Sequence, residues 1–170
     1  MAYRTIRLYG DRLLTKASKP VEAVDGKIIT LLDDMKETLT KHNGLGLAAP
    51  QVGILKRVVV IDVRKREGDK PDGKVLSEEG YYELVNPEIL EYSGEQQNSE
   101  ACLSLPGKSA TVKRPEKIKV RAIDRTGKPF EVRGDGNLAV ALSHEIDHLD
   151  GVLYVDICER GTFKDDRDED

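Results

Sequence analysis

A chain of 170 residues has room for one domain with a real hydrophobic core, and not obviously for two. A formal net charge of −4, with both signs scattered throughout, excludes the basic face of a nucleic-acid binder. No apolar run is long enough to cross a membrane, the start lacks an apolar signal core, and two cysteines without a secretion signal point to a reducing cytoplasm.

Tyr3 to Val24 reads as an extended arm, with a turn at Gly10-Asp11 and a break at Pro20. Asp25 can cap a helix from Gly26 to His42, where Ile28, Leu32, Met35 and Leu39 recur on one stripe and Asn43-Gly44 makes the stop. His42 reads as a surface residue near the negative pole of that helix. The next stretch is Gly44-Leu-Gly-Leu-Ala-Ala-Pro-Gln51-Val-Gly53. Glycines 44 and 46 allow a close backbone approach, the Gly-Lys-Ser/Thr of a phosphate loop is missing, and a turn packed under the helix accounts for most of it. Gln51 stands apart, because an amide buried among apolar neighbours must find hydrogen-bond partners.

Arg57 to Val63 is a β-branched strand, Arg64 to Gly80 a polar surface loop, and Tyr81 to Leu90 a second strand with Pro87 marking an edge or bulge. Glu91 to Ser99 is polar, with a turn at Ser93-Gly94. In Glu100-Ala-Cys102-Leu-Ser-Leu-Pro106 the cysteine sits among small and apolar residues, the ordinary setting of a buried free thiol. Residues 109–113, 117–124 and 129–133 are short alternating strands, the last two joined by a turn at Asp124-Arg-Thr-Gly127.

Leu138, Ala141, Leu142, Glu145, His148 and Leu149 form a broad helical stripe, with Ser143, Asp147 and Asp150 on the other side. Asp135 or Asn137 can cap this helix and Gly151 can end it in the left-handed region, which makes it the centre of the fold. It carries His144-Glu145-x-x-His148. Positions i and i+4 share a helix face, so both imidazoles can point at one metal ion, and Glu145 edges that face where a general base would sit. An amphipathic helix that happens to hold two histidines would look the same, and a stable site needs a third protein ligand. No histidine follows His148. Cys102 would complete a Cys-His-His set with one position open, and Glu100 could accept from a ligand imidazole. Cys158 has a similar chemical claim, but it follows an alternating stretch, 152–157, expected to be a strand, and reads as structural. From Glu159 the chain is charged and aperiodic, so a single domain of residues 1–158 with a flexible tail, 159–170, is expected.

Three stretches together resemble the peptide deformylase family. Gly44-Leu-Gly46-Leu-Ala-Ala-Pro-Gln51, Glu100-Ala-Cys102-Leu103-Ser104 and His144-Glu145-Ile-Asp-His148 match its three motifs in order, and the resemblance covers about residues 4–157. Ala101 stands where Gly is usual and Ser143 where Gln is common. The resemblance implies an α+β fold, antiparallel strands packed around the central metal-binding helix with the first helix outside. It implies hydrolysis of the N-formyl group of formyl-methionine at the start of new polypeptides, releasing formate. In that reading Cys102, His144 and His148 hold one divalent metal ion per chain, Fe2+ natively, with Zn2+, Ni2+ or Co2+ as alternatives. Glu145 carries the proton, and Gln51 and the Leu103 backbone N–H receive the charge on the formyl oxygen. Gly46, with Leu45 and Gly44, pairs with the peptide, whose methionine side chain enters a pocket expected to have aliphatic walls. The implied partners are N-formylated nascent peptides and, transiently, the ribosome, in a bacterial or organellar-type cytoplasm. Some relatives dock on the ribosome through a longer C-terminal helix, and the short acidic tail gives no support for that mode. A zinc peptidase that dispenses with Cys102, or a non-catalytic metal-binding domain, are the competing readings. Gln51 and Glu145 argue against the second, because neither is needed merely to hold a metal, and a short peptide with a free N-terminus separates the first, since a peptidase cuts its backbone and a deformylase leaves it alone.

Overall fold

A computed structural model describes residues 2–69 and 73–169. Two helices and two antiparallel sheets make up most of it. The helices are α1 (Gly26–His42) and α2 (Gly136–Leu149). The larger sheet holds β1 (Gly46–Ala48), β2 (Val58–Asp62), β3 (Tyr81–Ser93), β6 (Lys117–Ile123) and β7 (Pro129–Asp135), in the order β1-β2-β3-β6-β7. The smaller sheet holds β4 (Gln96–Cys102), β5 (Leu105–Arg114) and β8 (Lys164–Asp165).

The apolar run of β2 explains the layering. Val59 and Ile61 pack toward α2 together with Leu142, Ile146 and Leu149, while Val58 and Val60 pack toward α1 with Leu32, Met35 and Leu39. A strand with both faces covered needs no polar alternation. The helix α2 also lies against the smaller sheet, so it is enclosed and the antiparallel strands surround it.

Local chemistry sets the ends of α1. Asp25 accepts from the Ile28 N–H at 3.0 Å, and Asn43 closes the helix with φ 54°. Pro87 lies within a register shift between Val85 and Glu88 in β3, a bulge rather than an edge, because β2 and β6 pair on either side.

Several expectations need correction. The arm contains a one-turn 3₁₀ helix, Arg12–Thr15, capped by Asp11 and anchored by buried Leu14. The polar residues 91–99 are mostly strand: Tyr92 pairs with Ile118 and Gln97 with Lys113, so neighbouring strands supply what composition lacks. Residues 152–157 are not a strand but contain a short helix, α3 (Tyr154–Ile157). Leu153 and Tyr154 are adjacent and both buried, which one face of a strand cannot achieve, and Asp156 accepts from the Leu153 N–H. Ser143 is buried, its hydroxyl donating to the Ala139 carbonyl at 2.8 Å. The charged tail returns to the open edge of β5. Glu159 N–H bonds to the Thr111 carbonyl, Lys164 and Asp165 pair with Ser109 and Lys108, and Lys108 meets Asp165 at 3.6 Å. Within the loop 64–80, residues 70–72 lie outside the described residues, as do Met1 and Asp170.

Candidate active site

The centre of α2 faces the end of β4. His144 and His148, one turn apart, bring their Nε2 atoms within 3.2 Å, and Cys102 Sγ lies 3.4 Å from His148 Nε2. The three ligand atoms fall within 4.8 Å of one another, and all three residues are largely buried. Metal–nitrogen bonds of about 2.0–2.1 Å and metal–sulfur bonds of about 2.3 Å at tetrahedral angles need ligand atoms roughly 3.3–3.6 Å apart. The spacings of both His148 pairs, 3.2 and 3.4 Å, come close to this, so the donor set fits one tetrahedral ion. Cys158 lies apart, its Sγ 3.5 Å from the Val155 carbonyl.

Glu100 sets the tautomer of His144. Its carboxylate lies 2.7 Å from His144 Nδ1 and is gripped by Arg114, with Nε to Oε2 at 2.7 Å and Nη2 to Oε1 at 2.8 Å. A carboxylate can only accept, so Nδ1 carries the proton and Nε2 presents its lone pair to the ion site. The third arm of Arg114 reaches Asp147 at 2.6 Å. Burial alone would raise the Glu100 carboxyl, but the bonds from Arg114 and then His144 outweigh it and hold it below the ordinary range. Tyr154 lines the other side, its ring stacked on His144 with centroids 6.0 Å apart.

Burial is also the largest influence on the two histidines. It opposes charge on both. For His148 it prevails, aided by the positive His144 and Arg114, and keeps the imidazole neutral. For His144 the Cys102 sulfur and the Glu100 carboxylate overcome it and push the imidazole up to about 10. The cluster therefore binds a proton where it could bind a cation, and ligation would release it.

Glu145 faces the same space. Its Oε1 lies 3.8 Å from His144 Nε2, and its Oε2 is buried with no hydrogen-bond partner among the described residues. Burial pushes its carboxyl up to about 7, against the pull of His144. Gly46 explains how β1 passes so close: a Cβ there would lie 2.7 Å from Glu145 Cγ. Gln51 sits in a 3₁₀ turn with its Oε1 accepting from Ala48 N–H at 2.9 Å. Its Nε2 lies 3.3 Å from Cys102 Sγ and 3.1 Å from Ser104 Oγ. Leu103 and Ser104 form the two-residue connection between the paired Cys102 and Leu105, outside the ladder.

Of these groups Cys102, His144 and Glu145 open onto a cavity of about 580 Å³. Leu45, Leu103, Leu105, Pro106, Val140 and Ala141 supply the expected apolar walls, and the amides of Asn98 and Asn137 join them. Gly44, Leu45 and Gly46 form one rim. Ala101 takes an ordinary strand conformation with negative φ, so the position has no need of glycine.

Every residue proposed for the site from the sequence reaches this region. Arg114, Tyr154 and Ser104 were missed as contributors. Arg114 left a signal: in an alternating strand it shares the inward face with Val112, where a cation requires a partner. Tyr154 left none, because its stretch reads as strand.

A model of the polypeptide deformylase family matches residues 3–163. The peptide deformylase of Lachnoclostridium phytofermentans is 55% identical over 156 residues, covering 92% of this chain and 89% of that one. A crystal structure of a peptide deformylase from Legionella pneumophila superposes with TM-score 0.83 at 44% identity, covering 94% of this chain and 88% of that one. A class I type b peptide deformylase from Acinetobacter baumannii, solved with Met-Ala-Ser bound, gives 0.81 at 33% identity over 91% of this chain and 98% of that one. Motifs, fold and relatives agree over nearly the whole length, and the chain belongs to the polypeptide deformylase family, metal-dependent hydrolases that remove the N-formyl group from newly synthesised polypeptides.

Proposed function

We propose that this chain deformylates the N-terminal formyl-methionine of nascent polypeptides, with Cys102, His144 and His148 holding one divalent ion and Glu145 moving the proton. The observation that carries the assignment is Glu145 Oε2, a buried carboxylate oxygen without a partner, beside a Cys-His-His set of ligand geometry. A divalent ion bound there polarises oxygen atoms and brings the pKa of water toward about 7. The work of the protein's own residues follows from position.

Glu145 takes the proton of the attacking water and returns it to the departing amine. The formyl C–N bond breaks, the water oxygen leaves in formate, and the new amine keeps the proton. Charge develops on the formyl oxygen, and the Gln51 amide and the Leu103 N–H would receive it as hydrogen-bond donors. Among the described residues strand β1 has β2 on one side only, so Gly44, Leu45 and Gly46 offer an open edge to which an extended peptide can add as a strand. The aliphatic walls of the cavity suit a methionine side chain, and the Met-Ala-Ser peptide held by the Acinetobacter relative supports the same class here.

Iron is the native ion in this reading, with Zn2+, Ni2+ or Co2+ able to replace it, since Cys-His-His sites take these metals according to availability. Nascent chains are met in the cytoplasm in transient contact with the ribosome, and residues 1–158 form the catalytic domain. Among the described residues no helix is long and apolar enough to cross a membrane.

Formate release from a formyl-methionyl peptide is the direct test. The same peptide with a free N-terminus should remain intact, and cleavage of its backbone would turn the reading toward a peptidase. Elemental analysis of protein purified without air should find iron, near one ion per chain.

A further inference from the structure

We propose that Ser104 is a positioning residue for the oxyanion-stabilising amide of Gln51. The inference rests on the reading of Gln51 as a donor to the formyl oxygen.

A primary amide has one acceptor and two N–H groups. The acceptor of Gln51 is committed, because Ala48 N–H can only donate and lies 2.9 Å from Oε1. The opposite end, Nε2, therefore faces two groups: Ser104 Oγ at 3.1 Å and Cys102 Sγ at 3.3 Å. Hydroxyl oxygen is the better acceptor, and the distance is ordinary for N–H to O. The Cys102 sulfur is the other acceptor, and as a ligand it turns its charge to the ion. The bond to Ser104 thus anchors the amide, and the N–H on the sulfur side is the one that can pass to an arriving carbonyl oxygen. With Oε1 and one N–H fixed, the amide plane has no freedom to turn its remaining N–H away from the ion site.

The backbone reinforces this pairing. Arg7 N–H donates to the Gln51 carbonyl at 2.6 Å, and Tyr9 N–H donates to the Ser104 carbonyl at 2.8 Å. Alternate N–H groups of one extended arm therefore stitch together the two segments whose side chains meet. Ser104 also follows Leu103, whose N–H is the second proposed donor, so one hydroxyl ties both donors into a single unit. Ser104 is 1% exposed and does not line the substrate cavity, so its influence reaches the peptide only through Gln51.

The test measures kcat, KM and metal content of the metal-loaded enzyme on a formyl-methionyl peptide for Ser104→Ala, Gln51→Ala and the double variant. Removing an oxyanion donor costs about 10²–10³ in kcat, and a donor left loose should cost less, about 10-fold. Ser104→Ala should lower kcat by that amount with KM and metal content unchanged, and the double variant should match Gln51→Ala alone, because the hydroxyl has nothing left to orient. Ser104→Cys keeps the volume and offers a weak acceptor, so it should fall between and show the same lack of additivity; it carries the comparison if Ser104→Ala does not fold. Losses that multiply in the double variant, or a Ser104→Ala enzyme with full kcat beside a crippled Gln51→Ala enzyme, overturn the role of Ser104 and leave the donor reading standing. A Gln51→Ala enzyme at full rate overturns the donor reading and the inference together.

Discussion

The two long helices solve opposite problems. The first, α1, buries one apolar stripe against the large sheet and leaves its other side exposed, with a bonded N-cap at Asp25 and a left-handed C-cap at Asn43. The second, α2, is buried almost all round, makes no side-chain bond at its N-cap, and carries Ser143, His144, Glu145 and His148 inside the protein. Two buried polar atoms on it, His148 Nδ1 and Glu145 Oε2, have no partner among the described residues. Burying polar groups is costly unless they are satisfied. The contrast is one of degree: α1 has one such atom among the described residues, Glu37 Oε2, beside a bonded cap, whereas α2 has an unbonded cap and carries its unpartnered atoms on the glutamate and histidine of the candidate site.

That contrast can be broken most completely at His148. His148→Ala should lose metal and activity together, as should Cys102→Ala, whereas Cys158→Ala should keep both. Metal content of the purified variants decides this, and retention by Cys102→Ala with loss by Cys158→Ala would reverse the ligand assignment. Glu145→Gln should separate chemistry from ligation on the same helix. Proton transfer by a placed side chain is worth about 10²–10⁴, so the variant should lose that much in kcat while staying folded and metal-loaded. Normal turnover, or absence of metal, would remove Glu145 from the proton-carrying role.

On α1 the same severity should appear as stability instead. Leu32 is fully buried, and Leu32→Ala should destabilise by about 2–5 kcal/mol in denaturant melts. Its kcat per folded, metal-loaded molecule should match wild type, and a large fall in kcat would mean that the two helices are not independent.

Acidity probes the ligand set, on α2 through His144 and on β4 through Cys102. The His144 imidazole is pushed up to about 10 against the opposition of burial, and it must lose its proton before it can ligate. Below that pH, each unit of acidification should weaken apparent metal affinity by at least about tenfold, and affinity should level off as pH rises past the shifted value. Proton release measured on metal titration should be at least one per ion, and none would mean that His144 starts neutral.

The smallest difference lies at the helix starts. Asp25→Ala removes a bonded cap and should cost about 1 kcal/mol. Asp135→Ala removes an N-cap side chain that makes no cap bond, and should cost much less. Equal losses in thermal melts would mean that the Asp135 carboxylate works by its charge at the helix start.

Helix α1 was legible to its last residue because a stripe, an N-cap and a stop signal all lie within one short segment. The catalytic segments were legible for a related reason: His144, Glu145 and His148 need only helical spacing to share a face. The polar strand 91–99 was not legible, because its neighbours in β5 and β6 decide its conformation. The one-turn helix at 154–157 was hidden by an alternation that tertiary burial of Leu153 and Tyr154 overrode. The tail after Glu159 read as loose because its partner, the free edge of β5, cannot be seen from the tail.

By itself, then, the sequence determined what local spacing can encode: the helix α1, the paired imidazoles, the β-branched strand β2 and the identity of the candidate third ligand. Only the tertiary structure decided that Cys102 meets His148, that Arg114 grips the Glu100 that orients His144, and that Ser104 meets Gln51. Those pairs lie between 14 and 53 residues apart in the chain. Their distances are set by how two sheets close around one helix, a property of packing that no single stretch of residues carries.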